Sequence, residues 1–229
     1  MIEAEWWEYD SAEELAEAAA GDVGFIIESA IDARGASLVA LPGSAGAEVY
    51  PKLAAQKVAW KRVTIIPTDE LLVPVSDERS NVRAIGAAFL SAGARVFPIA
   101  SGAAEDYRLA GNAADARLQD LPWPPDLVWL SMGKDGDTAG LLPSADLQQA
   151  LDAPKARRAV GLMPDNDTLG RITLTRAAIL SARTVLITLR GQEKRELLER
   201  AIADGHSSKL PIGRVLAEAE QPIDIHWAP

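Results

Sequence analysis

Short apolar runs recur along this chain, and most lead through a Gly-, Ser- or acid-bearing turn into a helical pattern. The runs at 37–41, 63–67, 95–99, 127–130, 160–163, 184–189 and 223–227 have strand length and are mostly rich in Val, Ile and Leu. Helical patterns lie between them, at 12–33, in the stretch up to about 54, and at 82–92, 103–119, 145–150, 176–181, 190–202 and 211–219. Apolar strands alternating with helices predict an α/β fold: a mostly parallel, doubly wound sheet with helices on both faces. No repeat or low-complexity linker interrupts the 229 residues, so a single α/β domain spanning 1–229 is expected.

Local signals sharpen some boundaries. Asp10 or Ser11 can cap the first helix, and Ser11 with Glu14 has capping-box spacing. Gly35 stands where a C′ glycine would end that helix, and Gly21-Asp22 is a point where it could split in two. Gly93 closes the helix at 82–92.

Composition removes several classes of function. There is no cysteine, so disulfides and thiolate chemistry are excluded. Two histidines, His206 and His226, do not make a His-rich metal site, and no metal-ligand spacing is visible. No apolar run approaches the roughly 18–20 residues needed to span a bilayer. The acidic N-terminus lacks a signal-peptide pattern, so a cytoplasmic location is expected. A formal charge of −10 without a basic block argues against nucleic acid and membrane surfaces. A small anion could still bind where cations gather locally.

Three polar stretches follow strands at the edge where open α/β sheets place ligands. The first is Pro42-Gly43-Ser44-Ala45-Gly46, which could present backbone N–H groups and a hydroxyl to a phosphate. It lacks the Gly-Lys-Ser/Thr of a P-loop. The second is Thr68-Asp69-Glu70, whose plain alternative is a solvated loop or a helix cap. The third is Gly133-Lys134-Asp135-Gly136-Asp137-Thr138, with two carboxylates, a lysine and a hydroxyl within a few residues of two glycines. An ordinary turn would use the same residue types.

Taken in order, these stretches resemble the 6-phosphogluconolactonase family, a branch of the glucosamine-6-phosphate isomerase/deaminase-like fold. The family's Gly-Gly-Ser-Thr-Pro loop aligns with residues 42–46, and its Trp, strand, Asp-Glu-Arg-x-Val-Pro pattern with Trp60 and residues 69–74. Its Ser-Asn pair aligns with Ser80-Asn81, and its Gly-Met-Gly-x-Asp-Gly-His-Thr-Ala-Ser-Leu-Phe-Pro with residues 131–143. Its Arg-Ile/Met-Thr-Leu-Thr aligns with 171–175, its Gly-x-x-Lys with 191–194, and its Leu-Pro with Leu210-Pro211. The departures are Asp137 at the family's general-base histidine, Leu71 at the Asp-Glu-Arg arginine, and Pro42 and Ala45 in the first loop.

The resemblance implies hydrolysis of 6-phospho-D-glucono-1,5-lactone to 6-phosphogluconate, a step of the pentose phosphate pathway, with no cofactor. Asp137 would then activate water, with Asp135 beside it as a second carboxylate. Carboxylates are weaker bases than imidazole but can serve. Backbone N–H groups around 133–136 could receive the oxyanion. Arg171 and Lys194, with Gly43 and Ser44, would hold the phosphate, and Asp69, Gly133 and Lys134 would complete the substrate site. Lys134 and Arg79 are candidates to replace the cation lost at Leu71, with solvated surface charge as the plain alternative. His206 is a reserve base, although both histidines fit structural or exposed roles. Two other readings stay open. One is a phosphosugar-binding relative without turnover. The other is a sugar-phosphate isomerase or deaminase, although that branch's Asp-Gly-His-Ile-Ala-Phe-Asn-Glu-Pro differs from Thr138-Ala139-Gly140-Leu141. The expected partner is a small phosphorylated sugar lactone, bound by a monomer or homodimer.

Overall fold

A computed structural model describes residues 3–165 and 167–229. Strand β1 (Ala4–Glu8) leads into helix α1 (Ala12–Arg34), then β2 (Ser37–Leu41), α2 (Tyr50–Ala54), β3 (Val63–Pro67) and β4 (Asp69–Leu71). The chain continues through α3 (Asn81–Phe89), β5 (Arg95–Val96), α4 (Tyr107–Leu118), β6 (Leu127–Ser131), α5 (Leu147–Leu151), β7 (Ala159–Leu162) and β8 (Arg171–Leu174). It closes with α6 (Arg176–Leu180), β9 (Thr184–Arg190), α7 (Gln192–Asp204), α8 (Pro211–Leu216) and β10 (Ile223–Ala228). No helix among the described residues is long and apolar enough to cross a membrane.

Seven strands form one sheet in the order β1-β10-β9-β6-β2-β3-β5. Its pairings are all parallel, so the carboxyl ends of the strands share one edge. Alternation along the strands feeds two cores. Val39, Leu41, Ile65, Trp129 and Leu186 pack with Val23 and Ile27 of α1, Leu53 of α2 and Phe89 of α3. Leu38, Ala40, Ile66, Val128, Leu130, Val185 and Ile187 face the other way, against Leu118 of α4, Leu198 of α7 and Val215 of α8. The expected parallel sheet with helices on both faces is therefore observed.

The differences from expectation have local causes. Helix α1 runs unbroken through Gly21. An interior glycine costs a helix about 1 kcal/mol relative to alanine, and the buried row Ala16, Ala19, Ala20, Val23 and Ile27 outweighs it. Its ends follow the sequence signals: Ser11 accepts from Glu14 N, Glu14 accepts from Asp10 N, and Gly35 adopts φ 82°. The expected strand at 95–99 shrinks to Arg95–Val96, since Pro98 has no N–H to give a ladder. The expected helix at 103–119 begins only at Tyr107, where Asp106 accepts from Arg108 N and Leu109 N. The helix expected over 82–92 ends at Phe89, and the one at 145–150 lies at Leu147–Leu151.

Two features go beyond the sequence reading. Acidic, alternating β1 adds a parallel edge strand against β10. Strand β4 pairs antiparallel with β8, and β8 with β7, forming a second, three-stranded sheet. Asp69 and Glu70 thus lie in a strand rather than a solvated loop.

Candidate active site

Four chain segments leave the carboxyl edge of the parallel sheet close together. After β2, Gly43–Gly46 makes a tight 3-10 turn. Gly43 has φ +60°, and a Cβ there would meet the Asn81 side chain at 2.1 Å. Glycine is required on both counts, and it lets the start of α3 press onto the loop. Gly43 is buried, whereas the Ser44 side chain is exposed.

After β3 come Asp69 and Glu70, 8% and 3% exposed. Glu70 accepts from Asn81 N (2.8 Å), Val82 N (2.7 Å) and Ser80 Oγ (3.2 Å). It anchors the first turn of α3, so the helix-cap alternative describes this residue. Burial pushes its pKa up, against the lowering effect of those donors. The Asn81 side chain in turn donates to the Asp69 carbonyl at 2.8 Å. The Asp69 carboxylate accepts from Arg171 Nη1 at 2.9 Å. Burial raises its pKa, the Arg171 guanidinium and Thr68 hydroxyl oppose that, and the charge of Asp137 adds to the rise. Asp137 therefore lies within electrostatic reach of Asp69.

After β6, residues 133–137 fold back on themselves. Gly133 N donates to Asp137 O at 3.0 Å, and Gly136 N to Gly133 O at 3.2 Å. These two amides are consumed within the loop, which corrects the expectation that the 133–136 backbone as a whole could receive an oxyanion. Thr138 Oγ1 donates to Ser131 O at 2.8 Å, and Ile212 N of α8 to Gly136 O at 2.9 Å, bracing the loop from two sides. The Asp137 carboxylate lies directly over Gly133: a Cβ on Gly133 would sit 1.9 Å from its Oδ1. Among the described residues no hydrogen bond or ion pair engages that carboxylate.

After β9, Arg190 leads through Gly191 into α7. Lys194 Nζ donates to Met132 O at 2.6 Å, tying α7 to the loop that carries Asp137. The cleft bounded by the segments after β2, β6 and β9 has a volume of about 450 Å³, and its lining includes Ala45, Glu48, Gly133, Asp137, Arg190 and Lys194.

Of the residues singled out in the sequence, the cleft thus unites Gly133, Asp137 and Lys194. Gly43 and Asp69 lie outside its lining, and so does Arg171, paired with Asp69. Lys134 and Asp135 are exposed at the loop tip and also lie outside the lining. Arg79 is held by the Asp77 carboxylate, at 2.7 and 2.9 Å, and so has an anionic partner already. His206 is exposed, its Nδ1 3.5 Å from Glu218. His226 is buried in β10 between the Tyr9 hydroxyl (3.0 Å) and Asp22 (3.4 Å). Glu48, Asn81 and Arg190 had no assigned role in the sequence reading. Arg190 adjoins the Gly-x-x-Lys stretch at a strand's end, which is a usable signal; Glu48 carries none.

A larger cavity, about 600 Å³, lies elsewhere, between α5, α6 and the segment after α8. Its Arg176 is occupied by Asp152 and the Arg214 carbonyl. Position at the carboxyl ends of parallel strands favours the smaller cleft as the ligand site. No group of three or more His, Asp or Glu among the described residues could hold a metal ion.

The arrangement offers a carboxylate and two cations in one partly enclosed cleft, suited to proton abstraction next to a bound anion. Comparison with known proteins gives the family. Residues 10–227 match the family described as glucosamine-6-phosphate isomerases/6-phosphogluconolactonase. The chain is 34% identical to a 6-phosphogluconolactonase of Rhizobium meliloti (strain 1021), covering 96% of this chain and 97% of the relative. It is 35% identical to a 6-phosphogluconolactonase of Mesorhizobium japonicum, covering 98% and 95%. The crystal structure of a 6-phosphogluconolactonase from Shewanella baltica OS155 superposes with a TM-score of 0.90 at 30% identity, covering 99% and 98% of the two chains. A monomeric glucosamine-6-phosphate deaminase shares the fold at a TM-score of 0.78 and 17% identity. The chain belongs to the glucosamine-6-phosphate isomerase/6-phosphogluconolactonase family.

Proposed function

We propose that this protein hydrolyses 6-phospho-D-glucono-1,5-lactone to 6-phosphogluconate, with Asp137 as the general base. The observation that carries the reading is the Asp137 carboxylate, seated over Gly133 in the same cleft as Lys194. Relatives of this name match almost the whole chain.

The chemistry follows from the residues. Water bound between Asp137 and the lactone carbonyl attacks the carbon, and the carboxylate takes its proton. Negative charge gathers on the carbonyl oxygen, where a nearby cation or N–H stabilises it. The ring C–O bond then breaks, and the departing ring oxygen takes up the proton that Asp137 removed. The product is an open-chain hydroxy acid. Lys194 has three N–H donors and gives one to Met132 O, leaving two for substrate oxygens. Asp69, buried, and Arg171, half-buried, lie outside the cleft lining as an ion pair that holds β4 to β8.

The reading carries with it a cytoplasmic monomer or homodimer that works without a cofactor. Its test is hydrolysis of freshly generated 6-phosphogluconolactone by the purified protein, measured against the spontaneous rate. Turnover well above background supports the function. Background turnover with retained 6-phosphogluconate binding would assign the protein instead as a phosphosugar-binding relative.

A further inference from the structure

Two of the residues lining the cleft that no sequence motif assigns are paired with each other. Arg190 Nη1 meets both carboxylate oxygens of Glu48, at 3.0 and 2.9 Å. The two residues stand 142 positions apart and approach from different segments, Arg190 at the end of β9 and Glu48 just after the Gly43–Gly46 turn. Both side chains are about half exposed or more, 49% and 65%. An ion pair this exposed contributes only about 0–1 kcal/mol, so a better anion can displace the carboxylate.

Among the described residues no cation besides Arg190 and Lys194 lines the cleft. The family's arginine position is Leu71, Arg79 is bound to Asp77, Arg171 to Asp69, and Lys134 lies outside the lining. The cations that line the cleft are Arg190 and Lys194, which flank the Gly191 turn into α7. Helix α7 starts there with no side-chain cap on its first amides, so its positive end adds to the same field. A guanidinium donates to two phosphate oxygens from its planar fork, and a phosphate dianion outcompetes a single carboxylate for it.

Resting on the functional reading above, we propose that Arg190 is the second cation of the phosphate site, and that Glu48 holds it until a phosphate monoester displaces the carboxylate. Glu48 then acts as a latch on Arg190, a built-in competitor. It lowers affinity for the phosphorylated substrate and excludes weaker anions, which makes the pair a specificity element.

The two partners therefore have opposite effects on binding, which no purely structural ion pair would give. The experiment compares wild type, Arg190→Met, Arg190→Lys and Glu48→Gln in lactone hydrolysis, in calorimetric binding of 6-phosphogluconate, and in thermal melting. Loss of a charged hydrogen-bond partner should raise KM and the 6-phosphogluconate Kd about 10- to 100-fold in Arg190→Met, more than it lowers kcat. Arg190→Lys should recover part of the loss, and Glu48→Gln should lower both constants below the wild-type values. Unchanged constants in Arg190→Met with an active wild type overturn the latch and leave the function standing. Losses of the same sign in Arg190→Met and Glu48→Gln, tracking a lower melting temperature, also overturn the latch alone. A wild type that lacks turnover but binds 6-phosphogluconate refutes the hydrolase reading; the variant Kd values then decide the latch by themselves. A wild type with neither turnover nor binding overturns both.

Discussion

Arg171 Nη1 donates to Asp69 Oδ2 at 2.9 Å, joining β8 to β4 within the small antiparallel sheet at the rim of the site. The side chains are only 17% and 12% exposed, and Arg171 Nε is buried with no partner among the described residues. Asp69 in turn sits against Gly140, whose Cβ, if present, would lie 2.7 Å from the Asp69 Cβ. The pair thus braces the loop that follows β6 at Gly140, while α8 braces it at Gly136.

Removing Arg171 leaves the Asp69 carboxylate buried and unpaired. Breaking one side of such a pair typically costs about 3–5 kcal/mol. Arg171→Ala should lower the urea-derived stability by an amount near the bottom of that range and weaken 6-phosphogluconate binding. Arg171→Met combined with Asp69→Asn should recover part of the stability. Strictly additive losses in the double variant would show that the pair is not coupled.

Gly133→Ala tests the position of Asp137 without touching its charge. Gly133 does not have a positive φ, so alanine is tolerated by the backbone, but its Cβ would strike the Asp137 carboxylate at 1.9 Å. The carboxylate must move. A displacement of about 1 Å can cost about 100-fold in rate. Turnover should therefore fall by at least about tenfold while the melting temperature changes little. Full activity in Gly133→Ala would place the base elsewhere.

The large parallel sheet was legible because its strands are apolar on both faces and punctuated by turns. Leu127–Ser131 and Thr184–Arg190 are found within one residue of expectation. The small sheet was not legible. Asp69 and Glu70 read as polar loop, and their burial depends on partners distant in sequence: Arg171 for one and the start of α3 for the other. Strand β1 was missed because three of its five residues are acidic or alanine and its pairing comes from β10, at the far end of the chain. Motif order placed Asp137, Gly133 and Lys194 at a common site. It carried no information on which cations were already paired, and so gave no role to Arg190.

His226 sets a pH dependence of stability. Its ring is 1% exposed, and the polar groups facing it are the Tyr9 hydroxyl and the Asp22 carboxylate. Burial holds its pKa below the ordinary imidazole value, with Asp22 partly opposing. The unfolded chain therefore takes up a proton near pH 6.5, before the folded chain does. This contribution to stability rises with pH up to about 6.5 and is level above it. The urea midpoint should fall from pH ~6.5 toward pH ~5, and His226→Gln should fall less. Parallel curves for the two proteins would exclude His226 as the source.

The most direct test compares wild type and Asp137→Asn in single-preparation assays of lactone hydrolysis and 6-phosphogluconate binding. Loss of a general base typically costs about 10²- to 10⁴-fold. Asp137→Asn should lose turnover on that scale and keep its affinity for 6-phosphogluconate within a few-fold. Wild-type turnover in Asp137→Asn would contradict the assignment of Asp137 as the base.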